Sequence, residues 1–369
     1  MIFLLGVSLV IGADTLTLAD GVWHPVVVLA PRFEWTAPDP LLRRAGGGSF
    51  GLDRARLGAV GGLGDPTALR LGGRIETELG QTGSDDQAIG LRDGWVELGY
   101  SPRVGLRLGL QEVPVSRARR AADNGAMLPD PPRIVGALPD RELGASLKGV
   151  LGNHVLDYAG GVYGGAGLTP SDDGTFLFAG SLVWSPLGAP DPSEELVVPG
   201  TASGFSVGWS ALYEIEGVPG ERSATWANVL EGGAHWGYLS VSGEGLWGMT
   251  DRENPAVTDS VSWGWYTQAS GNLGFVPVAR RALRHVFVLG RLQVFDPYIP
   301  LAILPPLTDP LDPTQSTLSY ALGLGAALGP PFERGGGSAR ASVTWNRRRE
   351  LEGLSYRNDG LVVSTQLSF

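Results

Sequence analysis

The chain has 369 residues, among them 56 Gly and 27 Pro but no Cys, and a formal net charge of −10 at pH 7. Charged residues are 18% of the total, below the roughly 25% usual in soluble domains, and glycine this scattered excludes long helices, because each interior Gly costs about 1 kcal/mol relative to Ala. The missing Cys excludes a disulfide scaffold and a thiolate metal site, and His24, His154, His235 and His285 lie too far apart for a zinc motif, so no metal or cofactor is expected.

In chain order, Ile2 to Gly12 is an unbroken run of apolar and small residues. It is too short to span a bilayer as a helix and reads as the hydrophobic part of a secretory signal peptide, with residues 1–13 as the leader. The competing reading is a buried first strand. No later run approaches 18 apolar residues, which excludes helical spans, and residues 14–369 are expected to form one domain.

Beyond the leader the apolar period is 2. Leu69, Leu71, Gly73 and Ile75 alternate with Arg70, Gly72, Arg74 and Glu76, and Leu106, Leu108 and Leu110 alternate with Arg107 and Gly109. Leu143, Ala145 and Leu147 alternate with Gly144, Ser146 and Lys148, and the pattern continues to Leu361, Val363, Thr365, Leu367 and Phe369. Segments of this kind reach 9–11 residues, a length that suits tilted membrane-crossing strands better than the 5–6 residues of a soluble sandwich. In such a barrel the apolar set faces lipid and the polar set faces the lumen. The expected fold is therefore all-β, a transmembrane antiparallel β-barrel of about 16 strands, beginning near residues 25, 49, 67, 88, 103, 142, 154, 174, 203, 222, 238, 260, 281, 316, 338 and 359.

The connections support one orientation. Residues 62–66, 101–103 and 152–153 are tight turns on the expected periplasmic side, whereas 37–48, 112–141, 164–173, 297–315 and 349–358 are long outer loops. One connection breaks the rule, because Pro186–Ser203 is long and Pro-rich where a short turn belongs, and this leaves the strand count open by two. The terminal Phe369 places an aromatic side chain last, as bacterial outer-membrane barrels commonly do.

Several segments resemble the phosphate-selective porins of the porin O and P type. They are FGLDRARLGAVGGLGD (50–65), LRDGWVEL (91–98), RVGLRLGLQEVPVSR (103–117), DRELGASLKG (140–149), VLDYAGGVYGG (155–165), GWYTQASGNL (264–273) and the terminal ARASVTWNRRRE with DGLVVSTQLSF (339–369). The resemblance implies a sixteen-stranded, trimeric, anion-conducting channel in the outer membrane of a Gram-negative bacterium, with a third outer loop folded inward to narrow the pore. Implied partners are outer-membrane lipid, lipopolysaccharide and small anions such as phosphate, with no nucleic acid. The phosphate-specific members use a cluster of lysines at the pore, and this chain has Lys148 alone.

Alternation places Arg54, Arg56, Arg74, Arg107 and Lys148 on inward faces, and the loop at 112–141 adds Arg117, Arg119 and Arg120. Arginine is always charged and donates several hydrogen bonds to an oxyanion, and a narrow channel focuses the field of such charges. The second reading is a general diffusion porin whose wall is neutralised by Glu76, Glu78, Asp93 and Glu97. The loop itself could alternatively be a solvated basic segment against lipopolysaccharide. No enzyme is expected, because the chain has no Gly-x-Ser-x-Gly elbow and no phosphate loop. A barrel with a purely structural role is the third class.

Overall fold

In the computed structural model the chain forms seventeen strands. The first nine are β1 (Leu16–Leu18), β2 (Gly21–Thr36), β3 (Gly47–Gly64), β4 (Arg70–Leu79), β5 (Ile89–Gly99), β6 (Gly105–Glu112), β7 (Arg141–Leu151), β8 (Leu156–Tyr163) and β9 (Phe176–Trp184). The rest are β10 (Gly204–Glu216), β11 (Ser223–Trp236), β12 (Leu239–Arg252), β13 (Ser260–Asn272), β14 (Val286–Pro300), β15 (Thr317–Leu328), β16 (Ser338–Glu350) and β17 (Gly360–Ser368). A single helical turn, α1 (Arg117–Ala121), and a 3-10 turn at Arg133–Ala137 lie between β6 and β7. The structure describes residues 16–18, 21–38, 46–64, 69–79, 89–101, 103–121, 128, 130–152, 155–165, 175–187, 203–218, 220–254, 259–277, 283–300, 316–328, 338–351 and 359–368.

Sixteen of these strands form a closed antiparallel barrel, each pairing with its sequence neighbours, and β17 closes the ring on β2 through Leu361↔Trp35 and Val363↔Phe33. The short β1 is the extra strand, paired to β2 at Leu16↔Trp23. Each of the sixteen expected starts lies within five residues of the first residue of a strand of the ring. Across the long connection after Trp184, β9 pairs directly with β10, and on its other side with β8, so no strand of the ring stands between them. The expected leader, residues 1–13, and the terminal Phe369 lie outside the described residues, as does His154.

The apolar set faces outward, as the alternation requires. Leu57, Ile75, Val96, Leu230, Leu322 and Leu324 are each more than half exposed on the barrel exterior. Aromatic side chains gather at its two ends. Trp184 meets Phe205 edge-on at 5.7 Å and Trp236 lies beside the Gly237–Tyr238 turn, whereas at the loop end Trp226 meets Trp247 at 4.5 Å and Phe33 meets Phe50 at 4.7 Å. An apolar band between aromatic girdles matches a hydrocarbon layer between two interfaces.

The buried apolar core lies inside the barrel, not between layers. Val113, Val115, Ala118, Ile134, Val135 and Leu138 of the β6–β7 connection pack on inward-facing Leu177, Leu212, Val229, Leu246 and Tyr266. On β9 to β13 both faces of the strands therefore carry apolar residues. Small wall residues make room for the loop. A Cβ on Gly233 would come within 2.7 Å of the Arg117 guanidinium, and one on Gly264 within 2.9 Å of Ile134 Cγ2.

Candidate functional site: a charged lumen wall facing an inward loop

Strands β3 to β7 form a continuous charged wall. Their register sets Arg56 opposite Glu78, Glu76 opposite Asp93, Arg74 opposite Trp95 and Glu97 opposite Arg107. Side chains that share a face across antiparallel strands meet at this spacing, and a ladder of ion pairs follows. Arg56 Nε lies 3.3 Å from Glu78 and 3.7 Å from Glu76. Arg74 binds Glu76 and approaches Asp93 at 3.6 Å. Glu97 collects three cations, Arg70 at 3.0 Å, Arg107 at 2.9 Å and Lys148 at 2.8 Å. Arg107 also lies over the Trp95 ring, 3.6 Å from its centroid, a cation–π placement that holds the guanidinium flat against the wall.

Two members of this ladder were not legible by alternation. Arg92 follows Leu91, so strict period 2 puts one of Arg92 and Asp93 outside. The β4–β5 register shifts between Glu76 and Thr77, and a bulge of this kind turns two successive side chains to one face. Arg92 accordingly reaches Glu78 at 2.9 Å and Glu76 at 3.7 Å from the inside. Arg141, counted with the loop by sequence, is the first residue of β7 and pairs with Asp93 at 3.2 Å. Among the described residues the wall thus carries Arg54, Arg56, Arg70, Arg74, Arg92, Arg107, Arg141 and Lys148 against Glu76, Glu78, Asp93, Glu97, Glu112 at the end of β6 and the buried Glu142 of β7, an excess of two positive charges. Arg54 shares the inward face of β3 and is half-buried. All four carboxylates named from the sequence are brought to the basic residues. Lys148 keeps 35% of its side chain exposed and Arg74 24%, so the wall is open to solvent.

Facing this wall is the β6–β7 connection, residues 113–140, one residue shorter at each end than the loop inferred from sequence. It docks on the opposite side of the barrel through its own polar groups. Glu244 accepts from Ser116 Oγ at 2.8 Å, from the Ala118 amide and from Tyr266 Oη at 2.8 Å. Arg133 donates from its amide to Gln293 at 2.9 Å and from its guanidinium to Thr317 at 2.8 Å. Asp130 is bound by Arg32 of β2 and by Asn346 of β16 at 3.1 Å.

The three loop arginines depart from the expectation that they add free charge at the narrowest point. Arg117 is 2% exposed and donates to Ser206 of β10 at 3.0 Å. Arg119 turns back on its own loop, bonding the carbonyls of Val135 and Leu138 at 2.7 Å each. Arg120 pairs with Glu231 of β11 at 2.5 Å. Burial alone would lower the Arg120 pKa, but the attraction of Glu231, Glu244 and Glu112 outweighs it and the value is raised, so this anchor stays charged. Three arginines in four positions read by sequence as charge at a constriction, with a solvated basic segment as the alternative, and tertiary contacts make them fasteners. Glu231 and Glu244, the partners that fasten the loop, carried no local sequence signal.

The comparisons agree with the architecture. The anion-selective porin from Comamonas acidovorans has a similar fold at 13% identity, with a TM-score of 0.63 over 95% of this chain and 100% of that one. The outer-membrane channel DcaP of Acinetobacter baumannii is similar at 9% identity and a TM-score of 0.64, over 96% and 99% of the two chains. OmpF of Salmonella typhi, solved with daunomycin, is similar at 11% identity and 0.61, over 96% and 100%. At these identities the likeness is one of fold. No protein-family model and no curated protein matches the chain.

Proposed function

We propose that this protein is an outer-membrane channel through which small solutes diffuse passively, and that it favours anions, phosphate among them. The observation that carries the reading is the excess of two positive charges on the solvent-open β3–β7 wall, facing a loop packed on the opposite strands. A charged wall in a narrow passage raises the local concentration of its counter-ions, and paired cations bind weakly enough to release them again. The resemblance to phosphate-selective porins and the fold shared with an anion-selective porin support it. In this reading the protein is exported behind the leader at 1–13, sits in the outer membrane against lipid and lipopolysaccharide, and assembles as a homotrimer.

A general diffusion porin without anion preference is the second reading, favoured by the pairing of wall cations with Glu76, Glu78, Asp93 and Glu97. Glu97 separates the two, because its single negative charge is shared by three cations. Glu97→Gln should shift the reversal potential in a chloride gradient further toward anions, and Arg107→Gln with Lys148→Gln should shift it toward cations. Both shifts should shrink at high salt, since the Debye length falls from about 10 Å at 0.1 M to about 3 Å at 1 M. Reversal potentials unmoved by either change at 0.1 M would place the wall outside the ion path and leave the general porin.

A further inference from the structure

A cavity of about 280 Å³ lies between the inward loop and strands β14 to β16, away from the β3–β7 wall. Its cations are Arg133 of the loop, Arg291 of β14 and Arg347 and Arg348 of β16, Arg347 lying 3.4 Å from Asp359, with Asp130 as the carboxylate at its rim. Asp130 is already held by Arg32 and Asn346, and its side chain remains 38% exposed, so the cavity is reached from the lumen. Arg291 is oriented toward the cavity by bonds from its guanidinium to Gln268 and to the Asp130 carbonyl. The local balance is positive.

Two further groups make this a built site. Thr344 is 1% exposed and Ser319 8% exposed, both line the cavity, and neither hydroxyl has a hydrogen-bond partner among the described residues. A buried hydroxyl without a partner costs free energy, and a ligand oxygen would recover it. The remaining lining is apolar, from Leu128, Pro131 and Ala321. Guanidinium groups and free hydroxyls beside an apolar floor suit a molecule with one anionic end and a hydrocarbon body. The volume is at the small end of ligand sites, which run from about 300 Å³ upward.

We propose that this cavity is a binding subsite for a small organic anion, with its carboxylate on Arg133, Arg291 and Arg348, an oxygen on Thr344 and Ser319, and its apolar body on Leu128, Pro131 and Ala321. The subsite deepens the anion-channel reading by naming a solute class, but its test does not depend on conduction. Saturation-transfer NMR on the purified full chain in detergent would use benzoate as the probe, with benzyl alcohol and inorganic phosphate as comparisons. Benzoate should bind, benzyl alcohol should bind far more weakly, and phosphate should compete poorly. Thr344→Val with Ser319→Ala should weaken benzoate about tenfold, as should Arg348→Gln on its own, the change expected when a hydrogen bond to a charged group is lost. Heat-modifiable gel migration identifies folded variants, and the two sets keep the test decisive if one fails to fold. No benzoate binding, equal binding of benzyl alcohol, displacement by equimolar phosphate, or unchanged affinity in folded variants would each overturn the subsite. Reversal potentials report on the channel reading separately, since a selective channel without benzoate binding would lose only this inference.

Discussion

At the scale of single residues, side-chain size matters as much as charge. Gly233 has an inward position under the loop, where a Cβ would meet the Arg117 guanidinium at 2.7 Å. Any larger residue there must displace Arg117, which is buried against Ser206. Gly233→Leu should therefore lift the first part of the loop while leaving the barrel closed, because the outward face of β11 is untouched. Overpacking of this kind typically costs about 1–3 kcal/mol. Faster proteolysis at 117–121 with unchanged strand-type circular dichroism would bear this out, and an unaltered cleavage rate would refute it. Arg92 teaches the opposite lesson. Its inward turn depends on one extra residue in the β4–β5 register, a displacement invisible to a period-2 reading.

At the scale of elements, the β6–β7 connection behaves as a plug with a definite anchor. Glu244 accepts three hydrogen bonds from Ser116, Ala118 and Tyr266, joining the loop to β12 and β13. Removing a buried acceptor leaves its donors unpaired and costs about 1–3 kcal/mol for each such group. Glu244→Ala should accordingly free the loop, raising single-channel conductance and current noise without lowering folded yield. A quiet channel of unchanged conductance would show that the anchor is dispensable. Joint replacement of Arg117, Arg119 and Arg120 by Ala should act in the same way. These side chains bind Ser206, the Val135 and Leu138 carbonyls, and Glu231, so their loss should change pore size and noise more than ion preference. A large reversal-potential shift with conductance unchanged would instead return them to the ion path.

At the scale of the whole molecule, the barrel is turned inside out relative to a soluble protein. Leu322 and Leu324 on β15 are 57% and 56% exposed in the middle of an outward strand. Leu322→Arg should destabilise the folded protein by about 2–4 kcal/mol, the cost of an arginine near the bilayer midplane. Denaturant unfolding from lipid vesicles would measure it. A loss near zero would mean that this face is covered by something other than lipid. The overall charge of −10 gives little guidance to the lumen, because the described wall from β3 to β7 carries an excess of positive charge.

Alternation alone made the sixteen-stranded ring readable, because every strand must show one face to hydrocarbon and one to polar groups, and the starts inferred near 203 and 359 lie one residue from Gly204 and Gly360. Less regular places were read less closely. The start inferred near 281 precedes Val286 because a 3-10 turn at Leu273–Phe275 and a further connection intervene. The pairing of Glu76, Glu78, Asp93 and Glu97 with inward arginines was also legible, since face and register follow from strand order. What the loop does was not. Arg117 and Ser206 are 89 positions apart, and Arg120 and Glu231 are 111 apart. Only closure of the ring brings them together, and once there, burial converts apparent surface charge into attachment. The same closure places Arg133 of the loop beside Arg291 and Arg348 of the wall. Period 2 is a local property of one strand, whereas the lumen is a property of all sixteen.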